Sequence, residues 1–360
     1  FPKGVINTVY GQGSVVVPLL LGSGKVNALT LIGSSKVADH LKKLPPKAHR
    51  LRAILGLDAK NAAIVLPDAD LDLAVRECLL GALSFNGQRC TALKMLLVHR
   101  SVVEPFLARF CAELAKLKVG MPWEKGVSVT PLPEPGKVAY MQELVADAVA
   151  KGAKVVNEGG GTVAGTLFYP AVLCPVEEGM KLYREEQFGP VLPVIRYRDV
   201  DEALRLANAS TNGLGGSVWS GDLEAARALA NRLECGTVWI NGHAEVLPHC
   251  PFGGCKMSGF GVEFGLDVVK SRALGETALR DIRIEASWAI VQRPRRDDAT
   301  GLGLRLDSAG HLDERRRPRA WSAPPDRLRR AAALLVGQRA ACAAARSQGP
   351  GLRARRSLPN

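Results

Sequence analysis

The sequence predicts an α/β protein, built from open sheets with helices on both faces. Two observations carry this. Short apolar runs alternate with amphipathic helical stretches along the first 270 residues, with no internal repeat. The chain is also long enough, at 360 residues with 47% hydrophobic residues, for two domains with a sizeable core.

The elements follow in order. VINTVYG (5–11) and VNALTLIG (26–33) read as short buried strands, each leading into a helical stretch. NAAIVL (61–66) is a third strand, after which PDAD opens a helix with an acidic N-terminus. In that helix Leu71, Val75, Leu79 and Ala82 fall on one face. A longer helix, KVAYMQELVADAVAKGA, places Met141, Leu144, Val145, Ala148 and Val149 at core-facing spacing. VLPVIRY (191–197), DVDEALRLAN, GSVWS, DLEAARALANRL and GTVWIN continue the alternation.

Charge narrows the function classes. The net charge of +13 is uneven: residues 291–360 hold 16 arginines, no lysine and 6 acidic residues, so +10 lies there and only +3 in the body. The body has no basic stripe of the kind that tracks phosphates, and no nucleic-acid partner is expected for it. The tail is rich in Arg, Ala, Gly and Pro and lacks core-building periodicity. It reads as a disordered basic tail, as translated GC-rich non-coding or frame-shifted sequence, or as an RNA-binding arm. No run of eighteen apolar residues occurs, so no membrane span is expected. The start at Phe1, without methionine or signal-peptide pattern, suggests a piece of a longer protein.

The eight cysteines form no CxxC pair, which suits reduced thiols in a cytosol or an organelle stroma, and a cytoplasmic setting is expected. His243, His249, Cys250 and Cys255 lie close in sequence, but their spacing fits no usual zinc pattern, and no metal is expected. GQG (11–13) and GSGK (22–25) lack the spacing of a dinucleotide or phosphate loop and read as turns. Gly33 and Ser34 are better placed. They end a strand and open a helix, whose N-terminus offers free N–H groups to an anion.

The stretch FNGQRCTALK (85–94) contains Cys90, after Arg89 and close to Gly87. A nucleophilic cysteine needs a stabilised thiolate, and a neighbouring cation helps to supply that. A plain core thiol, as expected of Cys78, is the other reading.

FNGQRC (85–90), EEQFGPVLPV (185–194) and PFGGCKMSGFG (251–261), in that order and at those separations, resemble the aldehyde dehydrogenase superfamily. FPKGVINTVYGQG, LIGSS and IVLPDADLDLAV fit the same pattern, and the match runs from residue 1 to about 270. Within the superfamily, residues 121–156 resemble the non-phosphorylating, NADP-dependent branch acting on glyceraldehyde 3-phosphate.

The resemblance implies a partial Rossmann-type cofactor domain (1–58), an α/β catalytic domain (59–258), a return segment (259–282) and the tail (283–360). It implies oxidation of a small aldehyde with NADP or NAD, and a full-length parent that is a homo-oligomer. Cys90 would attack the aldehyde carbon. Glu186 would hold the nicotinamide ribose, with Phe188 near the ring. Gly33 and Ser34 would face the pyrophosphate, Gly13 would lie beside the adenine, and Arg89 would contact a substrate phosphate.

Departures from the family pattern carry their own expectations. The N-terminal two fifths of a full enzyme is absent, and with it the oxyanion-hole asparagine and the residues that choose NAD or NADP. Glu245 stands where the second phosphate-binding arginine is expected. In LGLDAKN (55–61), Gly56 replaces the glutamate that activates water for deacylation, and Asp58 lies two residues on. Coenzyme A-acylating semialdehyde dehydrogenases also lack that glutamate, which makes them the alternative enzyme class. A non-catalytic fragment is the alternative outside enzymes.

Overall fold

The computed structural model describes residues 2–248, 250–265 and 289–292, without the side chains of Pro135 and of 289–292. Its centre is a sheet of strands β3 (Ala62–Val65), β4 (Met95–His99), β5 (Lys154–Val155), β6 (Ala171–Cys174), β7 (Val191–Tyr197), β8 (Gly215–Trp219), β9 (Thr237–Ile240) and β11 (Ala289–Gln292). They lie in the order β11-β9-β8-β3-β4-β7-β6-β5. All neighbours are parallel except the β6–β5 pair at one edge.

Parallel strands buried on both faces need apolar residues at consecutive positions, and β3 has them: Ala62, Ala63, Ile64 and Val65 are all buried. Ala62 and Ile64 face one core with Leu97, Ile195, Val218 and Val238. Helices α5 (Pro135–Ala150), α6 (Val200–Asn208) and α7 (Leu223–Ala230) close that side with Met141, Leu144, Ala148, Ala203, Ala226 and Leu229. Ala63 and Val65 face the other core with Leu96, Val98 and Val194. Helices α3 (Leu71–Leu83) and α4 (Val103–Leu114) cover it with Val75, Cys78, Leu79, Ala82, Phe106 and Phe110. Asp70 caps α3 by accepting from the N–H groups of Asp72 and Leu73, as the PDAD motif predicts.

A second, smaller sheet holds β1 (Ala28–Ile32), β2 (Arg52–Gly56) and β10 (Gly259–Phe260). β1 and β2 run parallel, from Ala28↔Arg52 to Ile32↔Gly56, and β10 returns antiparallel with Gly259 opposite Gly56. Helices α1 (Gly13–Gly22) and α2 (Ser35–Leu41) accompany this sheet.

Three local expectations are corrected. Residues 5–11 form no strand: Val5, Ile6, Val9 and Tyr10 are exposed, with no neighbouring strand to pair with. Apolar content alone does not make a strand without a ladder. Val149 points outward at the end of α5, so the buried stripe stops at Ala148. A strand at 289–292, inside the stretch read as an unstructured tail, pairs with β9. The rest of that tail lies outside the described residues. The turn reading of GSGK agrees with the structure, in which Gly24 has φ +68° just past α1.

Candidate active site

The residues singled out in FNGQRC and EEQFGP meet at the amino ends of the parallel strands. Cys90 precedes β4, Glu186 and Phe188 precede β7, and Asn61 precedes β3. Open α/β sheets usually bind ligands at the opposite, carboxyl ends.

The turn leading to Cys90 is backbone-strained. Phe85, Asn86 and Gly87 all have left-handed φ, at 55°, 57° and 70°. Such a conformation costs roughly 1–3 kcal/mol at each non-glycine position unless surrounding contacts impose it. Asn86 is held on both sides of its amide: Nδ2 donates to Thr130 Oγ1 at 2.9 Å, and Oδ1 accepts from Thr130 N–H at 3.0 Å. At Gly87 a Cβ would stand 2.8 Å from both Ala82 O and Gly189 O, so glycine is required.

The main-chain carbonyl of Cys90 accepts from two buried side chains. Asn61 Nδ2 donates to it at 2.7 Å and to Ala92 O at 2.8 Å, while Asn61 Oδ1 accepts from Gly215 N–H at 3.0 Å. Lys94 Nζ donates to Cys90 O at 3.1 Å and to Arg89 O at 2.8 Å, and forms an ion pair with Glu186 Oε1 at 3.1 Å. Lys94 is 1% exposed and Glu186 18%. Burial lowers the lysine's pKa from its usual value, and the charge of Glu186 opposes that shift. Lys94 thus ties the Cys90 turn to Glu186.

A second buried lysine fixes the glutamate's own loop. Lys60 Nζ donates to Leu182 O at 2.8 Å, Glu185 O at 2.6 Å and Gln187 Oε1 at 2.8 Å. Burial, then the charge of Lys94, pushes its pKa down to about 7, against the pull of Glu186 and Glu185. Gln187 Nε2 donates onward to Lys94 O and Val191 O. Tyr140 Oη donates to Glu185 Oε2 and Glu186 O, both at 3.1 Å. Phe188, at φ 40°, lies 5.4 Å from Lys137 Nζ and 5.7 Å from Lys94 Nζ.

Arg89 donates to Ser84 Oγ at 3.2 Å and stacks over the Phe85 ring at 5.4 Å. His243 lies on the other flank. Its Nε2–H donates to Thr91 O at 2.7 Å and its ring stands edge-on to Trp239, 4.8 Å between centroids. Burial lowers its pKa to about 3, so it is a neutral prop under the turn. Glu245 is exposed, and its carbonyl accepts from Trp239 Nε1.

The small sheet tests the fit of a dinucleotide. Gly33 and Ser34 do join β1 to α2, and Ser34 Oγ caps the helix by accepting from Val37 N–H. The N–H of Ser35, however, is already taken by Asp58 Oδ2 at 2.8 Å. A phosphate there must displace a carboxylate. The expected phosphate end thus competes with a dinucleotide, while Glu186 and Phe188, expected at its nicotinamide end, stand at the rim around Cys90. Gly13 starts α1, with open space where a Cβ would be.

Sequence reasoning overlooked Asn61, Lys60, Lys94 and Gln187. A signal was present, since CTALKMLLV sets one lysine inside a run of apolar residues.

Known proteins resemble the chain over most of its length. A family model described as the aldehyde dehydrogenase family matches residues 1–273. The chain is 39% identical over 263 residues to the NADP-dependent glyceraldehyde-3-phosphate dehydrogenase of Streptococcus equinus, covering 73% of this chain and 54% of that protein. It is 37% identical to succinate-semialdehyde dehydrogenase [NADP(+)] 1 of Mycobacterium ulcerans, covering 73% and 57%. Among solved structures it is similar to the NADP-dependent glyceraldehyde-3-phosphate dehydrogenase of Bacillus halodurans C-125 complexed with NADP. That match has a TM-score of 0.67 and 36% identity, and covers 71% of this chain and 53% of that one. The chain therefore spans about half the length of the relatives it matches. On the matched residues and the α/β architecture together, it belongs to the aldehyde dehydrogenase family.

Proposed function

We propose that this chain carries the catalytic half of an NAD(P)-dependent aldehyde dehydrogenase that works through a thioester on Cys90. The observation that supports this most is the double hold on the Cys90 carbonyl by Asn61 and Lys94, with Lys94 also paired to Glu186. Such a hold fixes the nucleophile's peptide against the cofactor-side glutamate, which is the positioning that a two-reactant step needs.

In this reading the Cys90 thiolate adds to the aldehyde carbon and forms a thiohemiacetal. A nicotinamide cofactor, held by Glu186 and Phe188, would supply the acceptor for the hydride that leaves that carbon as the hydroxyl proton passes to solvent. Cys90 then carries a thioester, which water cleaves to the carboxylic acid and the free thiol. Glu186 and Phe188 orient the nicotinamide end, and Ser34 lies at the phosphate end. Glyceraldehyde 3-phosphate is the favoured substrate: several relatives bear that name, and Arg89, next to Cys90 in sequence, would turn from Ser84 to meet the phosphate. The domain boundaries, the cytoplasmic setting and a homo-oligomeric parent belong to the same proposal.

Gly56 favours a second reading, in which the thiol of coenzyme A, rather than water, takes the acyl group. The test mixes the chain with glyceraldehyde 3-phosphate and excess NADP and follows reduced cofactor. One equivalent per chain, lost in Cys90→Ala, is expected. Acceleration by coenzyme A would favour the acylating reading, and no cofactor reduction at any NADP concentration would overturn the assignment.

A further inference from the structure

Each main-chain carbonyl from Arg89 to Ala92 accepts from a side chain. Lys94 Nζ donates to Arg89 O and Cys90 O, Asn61 Nδ2 to Cys90 O and Ala92 O, and His243 Nε2 to Thr91 O. The last bond is 2.7 Å long, and among the described residues no other donor reaches Thr91 O. Lys94 and Asn61 therefore hold the carbonyls on either side of Thr91, and His243 alone fixes the one between them.

His243 arrives from the loop after β9, 152 residues away from Thr91 in sequence. Gly81, inside α3, makes room for its ring: a Cβ there would stand 2.9 Å from His243 Cδ2. Glycine weakens a helix interior relative to alanine, and here it admits the imidazole. Trp239 packs edge-on to the ring and is itself held through Nε1 to Glu245 O at 2.8 Å. A carbonyl only accepts, so the proton sits on Nε2 and Nδ1 is a bare acceptor. Nδ1 is closed off from solvent and has no hydrogen-bond partner among the described residues. A second proton would find no acceptor there. Burial opposes it first, and the charges of Lys94 and Arg89 add to that. The ring is thus kept as a neutral donor aimed at the Cys90 turn.

We infer that His243 is a positioning residue for Cys90, whose Nε2–H, rather than its bulk, locks the Thr91 peptide and through it the direction of the Cys90 side chain. With the peptide planes on both sides of Thr91 fixed, the thiolate needs no reordering before it meets the aldehyde carbon. The inference rests on the proposed thioester chemistry at Cys90.

The experiment uses p-nitrophenyl acetate, whose acetyl group passes to the Cys90 sulfur as p-nitrophenolate leaves, without any cofactor. The unmodified chain should show a burst that Cys90→Ala lacks. His243→Phe keeps a flat ring but no donor, and its acetylation rate constant should fall about tenfold. His243→Gln restores an N–H donor on a side chain without the ring, and should recover most of that loss. A packing role predicts the reverse order, because phenylalanine replaces the ring better than glutamine does. That reverse order, equal rates in all three chains, or a loss that glutamine does not recover would each overturn the inference alone. Ring ¹⁵N NMR of the unmodified chain needs no variant and tests the bond even where a substitution unfolds the protein. It should show His243 as the neutral Nε2–H form from about pH 5 to 8, the range in which a free histidine titrates. Titration of His243 in that range would mark a ring loose in water and would also overturn the inference. Absence of any burst in the unmodified chain would instead remove the thioester reading, and this inference with it.

Discussion

The rim around Cys90 and the small sheet of residues 28–56 were built to different standards. At the rim nearly every buried polar atom has a partner: Lys60 and Lys94 each have three acceptors, and Asn61 uses both ends of its amide. In the small sheet the buried apolar cluster is Ala38, Leu55 and Leu57. Nearby Tyr10 is 90% exposed, Leu19 73% and Ile32 68%. The contrast teaches that the two regions are ordered by different means: polar bonds around Cys90 close on one another within the described residues, whereas the small sheet leaves large apolar side chains uncovered.

The sharpest way to break the contrast is Lys94→Met. It strands Glu186 and takes one donor each from the Arg89 and Cys90 carbonyls, and should cost on the order of 3 kcal/mol in chemical denaturation. Lys94→Arg should cost less. Equal stabilities for the two variants would mean that the rim is not held by this charge.

Hydrogen exchange compares the regions directly. Amides of β3 and β4 should be protected at least about 10²-fold more than those of β1, because local opening is easiest where few apolar contacts must break. Equal protection would mean that the small sheet is covered after all.

Titration sharpens the comparison from the rim's side. The pKa of Lys60 is lowered from 10.5 to about 7 in the folded chain. Between these values the unfolded state binds more protons, so stability should rise as pH climbs from about 7 toward 10, by on the order of 1 kcal/mol per unit. Below pH 7 both states are charged and the slope vanishes. Lys60→Met should flatten this part of the stability–pH curve.

The smallest effect belongs to the phosphate end. Asp58→Gly frees the Ser35 N–H and removes a competing negative charge. Affinity for NADP, measured by calorimetry, should tighten about five- to tenfold, a gain of about 1 kcal/mol. Unchanged affinity would place the pyrophosphate away from α2.

The sequence made the elements legible where burial is strong. The run of apolar residues in β3 and the 3.6-residue stripe of α5 are imposed by the two cores, so pattern alone recovers them. VINTVYG misled because its apolar residues find no ladder. At the site, Cys90, Arg89, Glu186 and Phe188 were legible through motifs, and the structure brings all four to one rim. Lys60 and Gln187 were not. They meet 127 residues apart in sequence, and no local pattern announces a contact of that span.

Asn61 carries a consequence for chemical ageing. Its Nδ2 faces two carbonyl oxygens, Cys90 O and Ala92 O. Spontaneous deamidation to aspartate would turn that donor into a second acceptor and set a negative charge against both oxygens. One lesion would release the Cys90 turn while leaving the cysteine itself chemically intact. The side chain is buried at the head of a parallel strand with both ends bonded, which keeps it from folding back on its own backbone, the motion that deamidation requires. The clamp that orders the site therefore also sets its shelf life.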